Sequence, residues 1–193
     1  MGILTEAMRF AVDAHGEERR KGDGTPMVLH AMEAAAIAAT LTGDDEVIAA
    51  AVLHDTVEDA HVKPEEIESR FGQRVAWLVS VETEDKHRDQ PAAKTWRARK
   101  EETLARLGAS PDRAVAIVVL SDKLSNMRSF YRGVCVQGNA FFDRFNQKDP
   151  QAHHWYYRAI ADALSQLADT PAWREYDFLI KRVFGEKPEG QRD

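Results

Sequence analysis

The chain has 193 residues, 44% hydrophobic and 30% charged, a globular balance that suits one domain with one core and excludes a disordered or fibrous protein. Its formal net charge of −6 argues against a nucleic-acid partner held by bulk electrostatics. The same charge leaves room for a phosphorylated small molecule received by a divalent cation and a few local Arg and Lys residues.

Leu4, Ala7, Met8, Ala11 and Val12 recur at spacings of three and four and predict a first amphipathic helix. Residues 19–26 (RRKGDGTP) break that period with two glycines and a proline, the mark of a loop. A second helix is expected over 28–41, stopping at Gly43. Asp44 or Asp45 caps the next helix, which carries VIAAAVLHDTVED and is apolar nearly all round until His54, as a central helix is. Pro64, Glu65 and Glu66 open a short helix ending at Gly72, and residues 75–81 form another buried segment. A polar loop over 82–90 precedes a basic helix around 96–107. Ser110-Pro111 reads as cap and first turn of a long helix containing 114–130. Its run VAIVVL (115–120) is a strand on propensity alone, but its setting favours a buried helix. Amphipathic helices over about 151–167 and 171–184 follow, then a polar tail. No segment alternates with period two between hairpin turns. The expected fold class is all-α, with one domain over 1–185 and a tail over 186–193.

The chemistry-bearing residues gather where apolar runs end. His54, Asp55, Glu58 and Asp59 crowd the hexapeptide HDTVED directly after the run 49–53. On a helix, His54 and Glu58 share one face and Asp55 and Asp59 the next. So many like charges at the mouth of a buried helix are most simply offset by a cation. Taken alone, the hexapeptide also reads as a solvated helix end with a core histidine satisfied by a backbone carbonyl. His30, opening a helix after the Gly/Pro loop, and Asp122, just past the run ending at Leu120, supply further ligands on buried elements. Two imidazoles and two carboxylates suit Mn, Fe, Co, Ni or Zn better than Ca or Mg.

The order H…HD…D resembles the HD superfamily of metal-dependent phosphohydrolases. The blocks RRKGDGTPMVLH, VIAAAVLHDTVEDAHVKPEEIESRFGQRVAWLV and LSDKLSNMRS together resemble the hydrolase domain of RelA/SpoT-type alarmone enzymes, above all the stand-alone small alarmone hydrolases. The likeness covers about residues 5–132. It implies an HD-domain helical bundle with His30, His54, Asp55 and Asp122 as ligands of one divalent ion, usually Mn²⁺. It implies that Glu58 and Asp59 work on the nucleophilic water, that Arg20 packs on guanine with Lys21 beside it, and that Asn126 contacts the nucleotide. The implied substrate is a guanosine nucleotide, (p)ppGpp, cut to GDP or GTP and pyrophosphate. Met27, Ala31 and Val119 stand where the family usually has Tyr, Pro and Lys, and the Met27 and Val119 departures motivate the alternative of a related nucleotide such as an adenine alarmone or NADPH.

Cys135 is the single cysteine, so no intrachain disulfide forms and a reducing compartment is expected. The longest apolar run, 47–53, is far too short for a bilayer, and the N-terminus shows no signal-peptide pattern, so the expected location is cytoplasmic, with no membrane or nucleic-acid partner. A homo-oligomer is compatible with the sequence. His15 reads as surface or structural, His61 as a loop residue, and His153-His154 as incidental on an exposed helix. Trp155, Tyr156 and Tyr157 are expected to pack the terminal helices on the core. Lys94, Arg97, Arg99 and Lys100 form either a solvated basic face or a phosphate clamp, and Arg128 either an ion pair or a substrate contact.

Overall fold

The computed structural model describes residues 2–20, 24–86 and 89–185; Lys21 and the expected tail over 186–193 lie outside the described residues. These residues form α1 (Ile3–His15), α2 (Met27–Ala39), α3 (Asp45–Leu53), α4 (Pro64–Phe71), α5 (Gln73–Glu82), α6 (Ala92–Ala109), α7 (Arg113–Gln137), a 3₁₀ segment (Gly138–Arg144), α8 (Pro150–Ala163), a short 3₁₀ turn (Ser165–Leu167) and α9 (Pro171–Phe184). No strand occurs among the described residues, only an isolated bridge between Arg19 and Pro26, and the all-α expectation holds.

Two helices organise the bundle. Every residue from Val47 to Leu53 in α3 is buried, and so is every residue from Ala114 to Leu120 in α7, the run that is helix and not strand. α3 packs against α1, α2, α5 and α7, while α7 packs against α2 and α9. Each apolar run therefore pushes the polar residues at its end, His54 in one case and Asp122 in the other, against the same interior wall.

Local chemistry moves several expected boundaries. The Asp44 carboxylate accepts the Glu46 amide at 3.0 Å, so Asp44 is the cap of α3. α3 stops at Leu53 and HDTVED lies in the turns beyond, where the Ala51 carbonyl accepts His54 Nδ1 and the Leu53 carbonyl accepts Thr56 Oγ1. α2 ends at Ala39, where the Thr40 hydroxyl takes the Ile37 carbonyl, ahead of Gly43. Asp112, not Ser110-Pro111, caps α7 by accepting the Ala114 amide at 2.7 Å. Gly72 joins α4 to α5 at φ 89°, a conformation that favours glycine.

The C-terminal helices close the domain from one side. Trp173 Nε1 donates to the Ala161 carbonyl at 3.1 Å and the Tyr176 hydroxyl to the Tyr157 carbonyl at 3.1 Å, fixing α9 on α8. His153 is buried, contrary to the exposed helix face expected for it: its Nε2 bonds the Gln147 carbonyl at 2.8 Å amid Trp96, Phe130, Phe142 and Phe145. Trp155 stays partly exposed beneath the Arg97 guanidinium, 3.3 Å from its ring centroid, whereas Tyr156 and Tyr157 are buried as expected.

Candidate active site

Four ligand-type atoms converge where α2, the end of α3 and α7 meet. His30 Nε2 lies 3.1 Å from His54 Nε2, 3.4 Å from Asp55 Oδ2 and 3.0 Å from Asp122 Oδ1. His54 Nε2 lies 3.1 Å from Asp55 Oδ2 and 3.4 Å from Asp122 Oδ1. An ion with bonds of about 2.1 Å holds neighbouring donors about 3.0 Å apart in an octahedron and about 3.4 Å apart in a tetrahedron. These separations fall on that scale: His30, His54 and Asp122 offer atoms that all lie within 4.8 Å of one another, a group that fits a divalent ion, and Asp55 lies beside both imidazoles.

The outer partners of the imidazoles support the same fit. His54 Nδ1 donates to the Ala51 carbonyl at 2.8 Å. Ser125 Oγ gives its own hydrogen to Glu33 Oε2 at 2.6 Å, so it accepts from His30 Nδ1 at 2.8 Å. Each ring thereby turns its Nε2 toward the other, an arrangement that a proton or a cation between them would satisfy. Burial works to lower the His54 pKa, but the Asp55 and Asp122 carboxylates raise it well above the histidine norm. Burial likewise works against ionised Asp55 and Asp122, yet His54 and His30 hold the first, and Lys123 with both imidazoles the second, well below the carboxylate norm.

The acidic pair sits beside this centre. Asp59 N donates to the Asp55 carbonyl at 2.8 Å, and the Glu58 carboxylate accepts the Glu84 amide at 3.0 Å. Burial, then the Asp55 charge, raises the Glu58 pKa, with Lys86 opposing. Lys86 Nζ bridges the pair, 3.2 Å from Glu58 Oε1 and bonded to Asp59 Oδ1. Lys86 was not singled out from the sequence, because its pairing spans 27 residues and leaves no local pattern. Glu82, Glu84 and Lys123 escaped for the same reason. Lys123 Nζ joins Asp122 Oδ2 to Glu82 Oε2 at 2.9 Å, and Glu84 binds Arg99 and, at 2.8 Å, Lys100.

A cleft of about 720 Å³ includes the acidic pair in its lining, together with Arg19, Arg20, Met27, Trp96, Tyr156 and Tyr157. The Arg20 guanidinium donates to Asn126 Oδ1, whose amide donates to Asp122 Oδ1 at 2.6 Å, so both expected nucleotide contacts reach the cleft. The Arg20 amide bonds the Thr25 carbonyl at 2.9 Å and Arg19 Nη1 the Gly24 carbonyl at 2.9 Å, tying residues 19–20 to residues 24–25. His61 and Met27 line the cleft, whereas Val119 and Ala31 belong to the core. Arg128 is an ion-pair residue, 2.7 and 2.8 Å from the two Glu175 oxygens and 3.1 Å from Glu33. Cys135 is exposed and unpaired with any other cysteine.

Two imidazoles and two carboxylates seated between buried helices, next to an acidic pair and a charged cleft, define a helical domain with a candidate site for a divalent ion. Residues 7–137 match the HD domain family, and the chain belongs to that family. The chain is 38% identical over 134 residues to the guanosine-3′,5′-bis(diphosphate) 3′-pyrophosphohydrolase MESH1 of Danio rerio, covering 67% of this chain and 70% of that one. It is 37% identical over 128 residues to a protein of the same activity name, without the MESH1 suffix, from Aquifex aeolicus, covering 66% of this chain but only 18% of that protein. The chain thus spans less than a fifth of the length of its long bacterial relatives. A solved structure described as a metazoan ortholog of SpoT that hydrolyzes ppGpp superimposes with a TM-score of 0.77 at 23% identity, covering 94% of this chain and 96% of that one, a likeness of fold. Among the described residues no helix is long and apolar enough to cross a membrane.

Proposed function

We propose that this chain is a metal-dependent 3′-pyrophosphohydrolase of guanosine 3′,5′-bis(diphosphate) and its pentaphosphate relative, yielding GDP or GTP and pyrophosphate. The observation that carries the reading is the convergence of His30, His54, Asp55 and Asp122 at donor spacing beside the Lys86-bridged pair Glu58 and Asp59. The relatives bearing this activity name support the substrate. The four converging residues would hold one divalent ion, Mn²⁺ in our reading. When bound, such an ion acidifies water and offsets charge on phosphate oxygens.

The reaction forms a bond between water oxygen and the phosphorus on the ribose 3′-oxygen, and breaks the bond from that phosphorus to the 3′-oxygen. The water must lose a proton and the departing 3′-oxygen must gain one. Glu58, whose pKa burial raises, is suited to accept and return a proton, and Asp59 orients the water with it. Arg20 offers a planar guanidinium to the base, held by Asn126. Lys21, assigned to the nucleotide by family resemblance, lies outside the described residues. The same chemistry on an adenine alarmone or NADPH is the second reading, favoured by Met27 in the cleft wall. A cytoplasmic setting accords with the single cysteine.

Purified protein with Mn²⁺ and ppGpp is expected to release pyrophosphate, and Asp122→Ala to lose more than about 100-fold in kcat/KM, beyond the cost of an outer-partner change. Intact ppGpp alongside turnover of another nucleotide, compared by kcat/KM across a panel, would reassign the substrate.

A further inference from the structure

The face of α7 that carries Asp122 continues past the metal site. Asp122, Ser125 and Arg128 stand three residues apart on that helix, as His30 and Glu33 do on α2, so each set lies along one helix face. The two helices pack against each other, and their opposed faces join in one line of bonds. His30 Nδ1 meets Ser125 Oγ at 2.8 Å, Ser125 Oγ meets Glu33 Oε2 at 2.6 Å, and Arg128 Nη1 meets Glu33 Oε1 at 3.1 Å. The line ends on α9, where Arg128 Nε and Nη2 grip the two Glu175 oxygens at 2.7 and 2.8 Å. Glu33, Arg128 and Glu175 line neither the cleft nor the smaller cavity against His30, so substrate binding does not account for them. Nor does stability: with side chains 32% and 41% exposed, the Arg128–Glu175 pair contributes no more than about 1 kcal/mol.

We infer that Glu33 is a positioning residue that fixes the direction of the His30 hydrogen bond, and that Arg128, clamped to α9 by Glu175, holds Glu33 in place for it. The inference rests on the reading of His30 as a metal ligand. It extends the metal centre to a helix beyond residues 7–137, the span of the family match.

A serine hydroxyl has one hydrogen and can point it either way, whereas an ionised carboxylate only accepts. Glu33 therefore draws the Ser125 hydrogen and leaves the Ser125 oxygen to accept from His30 Nδ1–H. The imidazole then keeps its Nε2 lone pair for an ion. With the hydroxyl turned round, Nδ1 would accept, and the hydrogen of the neutral ring would sit on Nε2, against the ion. Arg128 adds a second demand. Its guanidinium only donates, and the double bond to Glu175 keeps it stationed beside position 33. A carboxylate meets both demands, one oxygen for each neighbour. An amide cannot. A hydrogen bond to a charged donor is about twice as strong as a neutral one, so the single amide oxygen goes to Arg128. The NH₂ then faces Ser125 and turns its hydroxyl round.

The test titrates Mn²⁺ by calorimetry into metal-stripped wild type, Glu33→Gln, Arg128→Met and the double variant. The isosteric change Glu33→Gln should weaken Mn²⁺ by about 10- to 100-fold, the range for outer partners of ligating histidines. Adding Arg128→Met should recover most of that loss, because the amide is then free to turn its oxygen to Ser125. Alone, Arg128→Met should change Mn²⁺ affinity little. Charge by itself predicts that Arg128→Met tightens Mn²⁺ equally in the wild type and in Glu33→Gln, and lost packing predicts that it weakens both. Ring-nitrogen chemical shifts of His30 in metal-free protein read the reversal without an ion: Nδ1 should carry hydrogen in the wild type and accept in Glu33→Gln. Arg158→Met, which removes the 2.6 Å pair of Arg158 with Asp177 on α9, should leave Mn²⁺ affinity unchanged. Wild-type affinity in Glu33→Gln, or a double variant no better than Glu33→Gln, overturns the inference while ppGpp hydrolysis stands. So does equal tightening by Arg128→Met in both backgrounds. A wild type that binds no Mn²⁺ overturns the inference together with the metal site. The expected pattern in a protein that leaves ppGpp intact supports the inference and removes the guanosine substrate instead.

Discussion

Ser125→Ala isolates the part of the metal centre that lies outside the ligands. Ser125 is fully buried on α7 and joins His30 Nδ1, at 2.8 Å, to Glu33 Oε2, at 2.6 Å. Without the hydroxyl, the buried Nδ1–H loses its acceptor at a cost of about 1–3 kcal/mol. The ring can escape that cost by moving its proton to Nε2, which removes the lone pair the ion needs. Either way Mn²⁺ affinity should fall by about 10- to 100-fold, the range for outer partners of ligating histidines. Calorimetric titration of metal-stripped protein reads this directly. Ser121→Ala is the matched control: Ser121 is equally buried one turn earlier, and its hydroxyl donates to the Ile117 carbonyl at 2.7 Å, away from the centre. Wild-type affinity in Ser125→Ala, or an equal loss in Ser121→Ala, would refute the proposed role of His30 as a ligand held by Ser125.

Metal should stabilise the fold in a pH-dependent way. At an ion concentration 100 times Kd, linkage contributes about 2.7 kcal/mol, or about 5–11 °C in Tm for a chain this size. The raised His54 pKa stabilises the metal-free fold at low pH, and that contribution is lost as pH rises through the folded value; binding the ion expels the same proton. The holo-minus-apo Tm difference should therefore widen with rising pH, and a constant or shrinking gap in thermal scans would contradict it. Lys86→Met removes the charge that opposes burial and Asp55 at Glu58, so the acidic limb of the kcat/KM profile should move to higher pH. Gly133→Ala would set a methyl 2.1 Å from the Phe141 ring, costing about 1–3 kcal/mol by denaturant melt with Mn²⁺ affinity unchanged.

The parts of the fold and site legible in the sequence are those with local periodicity. The apolar runs before His54 and Asp122 announce buried helices, and a ligand-type residue at the end of each points inward once both helices are central. The end of α3 leaves no signal in the sequence, because no glycine or proline stands there and His54 and Thr56, which bond the Ala51 and Leu53 carbonyls, equally suit a continuing helix. Ser110-Pro111 and Asp112 satisfy the same capping pattern, and only the reach of the Asp112 carboxylate to Ala114 N decides between them. His153 looked exposed because its burial depends on Trp96 and Phe130, far away in the chain. The partners Lys86 with Asp59 and Lys123 with Glu82 are tertiary pairings between residues that each read, locally, as ordinary solvated charge.

Those pairings bear on how an acidic protein would receive an anionic nucleotide. Among the described charged residues lining the cleft and the smaller cavity against His30, Asp55 and Asp122, carboxylates outnumber Lys and Arg by one. The cations are anchored before any ligand arrives: Lys86 on Glu58 and Asp59, Arg99 and Lys100 on Glu84, Lys123 on Glu82 and Asp122. The net side-chain charge thus gives a phosphate little attraction, and a bound divalent ion would supply most of it. Two unit charges 4 Å apart interact by about 4 kcal/mol at an effective dielectric of 20, so an ion beside a phosphate dominates the balance even after screening. Chelation should therefore abolish binding as well as turnover, with affinity for a non-hydrolysable guanosine tetraphosphate analogue falling by about 100-fold. Equal affinity in chelated and Mn²⁺-loaded protein would mean that Arg20, the aromatic wall and the anchored lysines suffice, and the charge balance argued from the cleft would be wrong.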